Sequence, residues 1–114
     1  MGVYVDDANI PASVQNGSRV HTSRWCHMTA DTTAELLAFA DRLSLRRAWL
    51  QRAGKPGEHF DLTVNKRRQA VSLGAVEITW REGVEQMRAQ RNGALFDLAA
   101  LRAASPVAAP EEEP

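Results

Sequence analysis

The stretch Trp25-Cys-His-Met-Thr-Ala-Asp-Thr-Thr-Ala-Glu-Leu-Leu-Ala-Phe-Ala-Asp-Arg-Leu43 decides how the chain is read. Its first five residues alternate. Trp25, His27 and Thr29 fall on one face of an extended segment, Cys26 and Met28 on the other. Thr32 and Glu35 then have the Thr-x-x-Glu spacing of a capping box, with Asp31 a competing N-cap. Leu36, Phe39, Ala40 and Leu43 follow at i, i+3, i+4 and i+7, the stripe of an amphipathic helix. A strand that hands over to a capped helix is the unit of a layered α/β fold.

The same reading extends outward. Val3-Tyr4-Val5 is a short β-prone run that ends in Asp6-Asp7. Residues 8–24 read as a loop, in which Asn16-Gly17 would close a small hairpin between Val14 and Val20. Downstream, Ala48-Trp49-Leu50 is a third strand candidate, and Gly54, Pro56 and Gly57 break the chain. His59-Phe60-Asp61-Leu62 is a short extended segment. A helix from about Val64 to Leu73 is stopped by Gly74. Val76-Glu77-Ile78-Thr79 alternates as a fourth strand. Thr79 and Glu82 repeat the capping box and open a helix to about Arg91, which Asn92-Gly93 ends. A last helix from Ala94 to Ala103 is expected to bury Leu95, Leu98 and Leu101. The expected architecture is a single α/β domain over residues 1–104. It has an about four-stranded, mostly parallel sheet, flanking helices and a flexible C-terminal tail, with 105–114 disordered and rich in Pro, Ala and Glu.

Composition narrows the function classes. A chain of 114 residues allows one domain. An apolar share of 44% with 25% charged residues excludes wholesale disorder. No apolar run approaches the ~20 residues that span a bilayer. The start, Met1-Gly-Val-Tyr-Val-Asp-Asp, lacks the basic region of a signal peptide and the Ser or Thr of a myristoylation pattern. Cys26 is the only cysteine, which excludes an internal disulfide or a Cys-x-x-Cys zinc site and fits a reducing compartment. A cytoplasmic location without membrane contact is therefore expected. The net charge is zero, but residues 42–81 carry nine bases against three acids. Such a local excess attracts an anion, whereas general DNA coating calls for a domain that is basic overall.

Two groups of residues carry candidate chemistry. His27, Asp31, His59 and Asp61, with Asp6 near the end of the first strand, form the first. His59 and Asp61 lie two apart and share a face if extended. Imidazole and carboxylate together suit a divalent Mn, Fe or Zn ion, for which Asp6, His27, His59 and Asp61 are the candidate ligands, or act as an acid/base pair. The structural alternative is that Asp31 caps a helix, Asp61 makes a turn and His27 is a hydrogen-bonded core residue. Lys66-Arg67-Arg68 form the second group, in the first turn of a helix, where cations oppose the helix dipole. An anion at that N-terminus would reverse the penalty; outward, solvated bases would leave it small. Trp25, Trp49 and Trp80 either stack on a base or belong to the core. There is no His-Glu-x-x-His, P-loop, Gly-x-Gly-x-x-Gly or Gly-x-Ser-x-Gly motif.

The segments Trp25-Cys-His-Met-Thr-Ala-Asp, Glu35-Leu…Phe39-Ala, His59-Phe-Asp-Leu and Arg68…Ala70…Leu73-Gly-Ala-Val, with the opening Val-Tyr-Val-Asp-Asp, resemble the domain of unknown function 4031 of actinobacteria and their phages. The resemblance covers about residues 2–82. It implies a single domain, brings no activity with it, and marks Asp6, His27, Asp31, His59, Asp61 and Arg68 as matching its pattern. The helices after Arg81 and the acidic tail lie outside it.

The leading expectation is a small binding domain for a phosphate-bearing small molecule or nucleotide. His27, Asp31, His59 and Asp61 would supply polar contacts, and Lys66, Arg67 and Arg68 would hold the anion. One alternative is a metal-dependent phosphoesterase or nuclease that uses the same histidines and carboxylates around a divalent cation. Another is a protein-interaction module without a ligand. A homo-oligomer is compatible with each.

Overall fold

A twelve-residue strand, β3 (Arg19–Ala30), runs through the middle of the sheet in the computed structural model, which describes residues 2–104 apart from the side chains of 14, 16, 21 and 22. The expected tail, 105–114, lies outside the described residues. Along one edge of β3, β1 (Val3–Val5) pairs with Met28–Ala30, and β2 (Ile10–Asn16) pairs with Arg19–Trp25, both antiparallel. Along the other edge, β4 (Phe60–Thr63) pairs antiparallel with Trp25–Met28. Trp25 and Met28 each have partners on both sides, so β1 and β2 lie end to end on one edge. β5 (Val76–Glu77) adds to β1 in parallel.

The sheet is therefore mixed and mostly antiparallel, which corrects the parallel sheet expected from the sequence. The difference arises in residues 8–24. Gly17, at φ +65°, sits in the two-residue loop Gly17-Ser18 that turns β2 back into β3. The hairpin that Asn16-Gly17 suggests is present, but it extends over all of β2, whose polar residues mask its strand character. Ala48-Trp49-Leu50 is also not a strand. Trp49 N–H bonds the Arg46 carbonyl at 2.9 Å and Leu50 N–H bonds the Arg47 carbonyl at 3.1 Å, winding Arg47–Trp49 into a 3₁₀ turn.

The helices follow their caps. α1 (Thr33–Arg42) starts at Thr32, whose hydroxyl accepts from Glu35 N–H at 3.1 Å. Asp31 is not the cap. α2 (Val64–Ser72) is capped by Thr63, and α3 (Trp80–Arg91) has the full Thr79–Glu82 capping box. α4 (Leu98–Ala104) begins later than expected, and Leu95 is 95% exposed rather than buried. Its neighbour Phe96 meets the Tyr4 ring edge-on instead, at 5.4 Å between centroids.

Alternation along β3 and β4 sorts the sheet into two faces. Cys26, Met28, Ala30, Phe60 and Leu62 point to one side, where Leu36, Phe39 and Ala40 of α1 and Ala70 of α2 complete the core. Tyr4, Asp6, Trp25, His27, Thr29 and Asp61 belong to the other side. α3 covers part of it through Gln86, which accepts from the Thr29 hydroxyl at 2.6 Å and donates to the Ala30 carbonyl at 3.3 Å. The candidate site lies on this face beside α3, whose Trp80, Gly83 and Met87 line a cavity with His27 and His59.

Tyr4 reports on this second face. Burial, its hydrogen bond to Asp31 at 3.0 Å, and the charges of Asp31 and Glu35 push its phenol up to about 12. Tyr4 is the only tyrosine, so absorbance titration reads it directly. We expect phenolate to appear near pH 12 in the folded protein, and Asp31→Asn to move that midpoint down towards the ordinary value of about 10. The neutral phenol's contribution to stability is complete below about pH 10 and is lost as pH rises through the folded value. A midpoint near 10 in the folded parent would contradict the packing described.

Candidate metal centre

His27 sits in β3 directly opposite Asp61 of β4, and His59 immediately precedes β4. A β-bridge between Gln51 and His59 fixes that approach, with N–O distances of 2.9 and 3.1 Å. The His27 and His59 rings meet edge-on at 5.0 Å between centroids. One ligand atom from each of His27, His59 and Asp61 lies within 4.8 Å of the other two.

Each imidazole is held from behind. His27 Nδ1 donates to Asp6 Oδ2 at 2.7 Å. His59 Nδ1 donates to the Gly57 carbonyl at 2.8 Å. An ionised carboxylate and a carbonyl only accept, so both Nδ1 atoms carry the proton and both Nε2 atoms are left to act as ligands. This is how metal-bound histidines are oriented. His59 Nε2 stands 3.4 Å from Asp61 Oδ1. Two donors bound at ~2.0–2.2 Å to a shared tetrahedral ion would be about as far apart.

Asp6 is buried and does more than touch His27. Its Oδ1 accepts from the backbone N–H of His27 at 2.9 Å and of Ala8 at 3.2 Å. Burial works against its charge, but the His27 ring, the His27 and Ala8 N–H groups and the His27 charge hold it below the usual carboxylate range. Gly57 is required where it stands. Its φ is +85°, and a Cβ there would come 2.9 Å from Met87 Sδ. Its N–H donates to Gln90 Oε1 of α3 at 2.9 Å while its carbonyl holds His59.

His59 and Asp61 form a coupled pair. Burial lowers the His59 pKa, but the bond to Asp61, the Gly57 carbonyl and the charges of Asp61 and Asp6 raise it by more. Asp61 is lowered by the His59 bond first, against burial, with help from Gln51, which donates to it. A cation at this position would take the place of that proton.

The other sequence candidates lie elsewhere. Asp31 accepts from the Tyr4 hydroxyl and is not among the three converging groups. Lys66 reaches back from α2 to bond the Leu43 carbonyl at 2.6 Å, which caps the C-terminus of α1. Arg67 bonds the Asp6 carbonyl at 2.9 Å and pairs with Glu77 at 3.2 Å. Arg68 is exposed and bonds Asn65. The three bases thus diverge over four partners. The structure adds Gln51, Arg52 and Gly57, for which the sequence offers only the chain break at Gly54, Pro56 and Gly57 as a cue. Arg52 lines a cavity of about 210 Å³ with His27, His59 and Trp80, and its Nε donates to the Pro56 carbonyl.

A family model described as a protein of unknown function (DUF4031) matches residues 3–90, which takes in every strand, α1, α2 and most of α3. Comparisons with curated proteins and with solved structures find no match.

The ion pair gives a titration test in metal-free buffer. The His59 midpoint, read by NMR, should lie above the ordinary ~6.5, and Asp61→Asn should bring it down. The raised value means that the pair's contribution is complete below the unfolded His pKa while Asp61 stays ionised, is lost as pH rises through the folded His59 value, and is lost again at the acid end as pH falls through the lowered Asp61 value. A His59 midpoint unmoved by Asp61→Asn would show that the two side chains do not share a site.

Proposed function

The chain belongs to the family of proteins of unknown function DUF4031, and we propose that this domain is a metal-dependent hydrolase of phosphate esters. The observation that carries the reading is the convergence of His27, His59 and Asp61 with both imidazoles locked at Nδ1. A divalent ion on three protein ligands keeps open positions, polarises a phosphoryl oxygen and lowers the pKa of a bound water. The water oxygen bonds to phosphorus as the P–O bond to the leaving alcohol breaks. The water's proton passes to solvent, and the departing alkoxide takes one from solvent.

The chain's own residues have separate parts in this. Asp6 and the Gly57 carbonyl each hold one ring through Nδ1 and leave Nε2 free to bind the ion. Arg52 lines the same cavity as both histidines and offers positive charge to phosphate oxygens. The metal-free binding reading draws on Lys66, Arg67 and Arg68, which do not converge, and so has less support.

Calorimetry with Zn²⁺ and Mn²⁺ on the full chain tests the proposal. We expect one ion per chain, with His27→Ala, His59→Ala and Asp61→Ala each weakening it at least about tenfold, or about 1.4 kcal/mol. Asp6→Asn should cost about 10–100-fold through His27. Hydrolysis of bis(p-nitrophenyl) phosphate should require the metal and fall with the same variants. A parent chain that binds no ion and hydrolyses nothing would sink this reading in favour of an interaction module or a metal-free binder, and hydrolysis without the metal would overturn its metal dependence.

A further inference from the structure

We infer that a second cavity on the same sheet face, walled by Trp25 and Trp49, receives the base of a nucleotide whose phosphate lies at the His27–His59–Asp61 centre. This rests on the metal reading above and names its substrate class. The cavity measures about 460 Å³, and Trp25, Trp49, Leu45, Gln15 and Lys66 are among its lining. That size falls within the ~300–1,000 Å³ typical of small-molecule sites.

Two features link it to the metal centre. Asp61 lies in its wall while its Oδ1 stands 3.4 Å from His59 Nε2, so one carboxylate belongs both to this cavity and to the metal centre. Gln51 lines it too, donates to Asp61 and bridges to the His59 backbone. A molecule held on the indole wall that reaches Asp61 would stand next to His59.

The lining chemistry suits a nucleotide better than a plain apolar ligand. Indole faces stack on any base. Trp25 Nε1 is tied to the Ala12 carbonyl at 3.0 Å, which fixes that ring in place. Trp49 is 41% exposed on its short turn, with the Arg46 guanidinium 5.8 Å from its ring centre. Side-chain amides of Gln15 and Gln51 can pair with a base edge. Lys66, whose ammonium also bonds the Leu43 carbonyl, brings positive charge to the cavity wall.

Calorimetric binding of AMP, ribose 5-phosphate and inorganic phosphate, with and without Zn²⁺, separates the possibilities. AMP should bind at least tenfold tighter than ribose 5-phosphate. Trp49→Ala should abolish that preference and leave Zn²⁺ affinity unchanged, and Trp49→Phe should keep most of it. AMP that binds no tighter than ribose 5-phosphate, absence of binding included, overturns the base site. So does a preference that survives Trp49→Ala. A chain that binds Zn²⁺ through its histidines without a base preference loses only this inference. One that prefers AMP through Trp49 but binds no Zn²⁺ keeps the base site and loses the metal.

Discussion

The carboxylate of Asp6 holds together elements that the backbone ladder leaves apart. β1 stops at Val5 and β2 starts at Ile10, so the edge they share along β3 is broken between them. Asp6 N–H still bonds the His27 carbonyl at 3.0 Å, but His27 N–H has no ladder carbonyl opposite it and donates to Asp6 Oδ1 instead. The side chain stands in for the missing strand. Its other oxygen holds the His27 ring, and its backbone carbonyl receives Arg67 from α2. A buried carboxylate is costly unless every lone pair is used, and here the strand break supplies the donors. One residue thus joins β1, β3 and α2 and aims an imidazole.

The bases at the start of α2 show how a local cue acquires a non-local cause. Cations in a helix's first turn oppose its dipole, and that penalty by itself suggests a bound anion. Lys66 instead extends to the C-terminal carbonyls of α1, where a cation is favourable. Arg67 is taken by Asp6 and Glu77. The partners of both lie far along the chain, so spacing alone leaves the penalty unexplained.

Legibility in the sequence follows the range of the interactions. Thr32, Thr63 and Thr79 cap helices that their own neighbours specify, and all three helices stand about where the pattern puts them. Strand direction was less legible, because it depends on pairing partners. β2 does alternate Ile10, Ala12 and Val14, but Pro11, Ser13 and Asn16 between and after them read as loop residues, and the apolar Ala48-Trp49-Leu50 reads as a strand yet winds into a 3₁₀ turn. At the site, His59 and Asp61 share a face as extended spacing requires, and His27 comes with them because β3 and β4 pair. Gln51 and Gly57 act through backbone atoms or one long-range bond, and Asp31 is drawn off by Tyr4; none of this has a signature in spacing.

Core and site are two consequences of one register. In β3, Met28 is fully buried between residues that face the open side, and its Cα partner in β4, Phe60, is buried too. A slip of one residue would turn Met28 and Cys26 to solvent and drive His27 and Trp25 into the core. The apolar side therefore rejects the one-residue slips on either side of the register that sets His27 opposite Asp61 and beside Asp6. Fine positioning then needs only short-range bonds, which are Asp6 and the Gly57 carbonyl on the rings and Gln51 on the carboxylate. A small domain can keep two imidazoles and a carboxylate in place this way, because the same contacts that bury Phe60 and Met28 also bring them together.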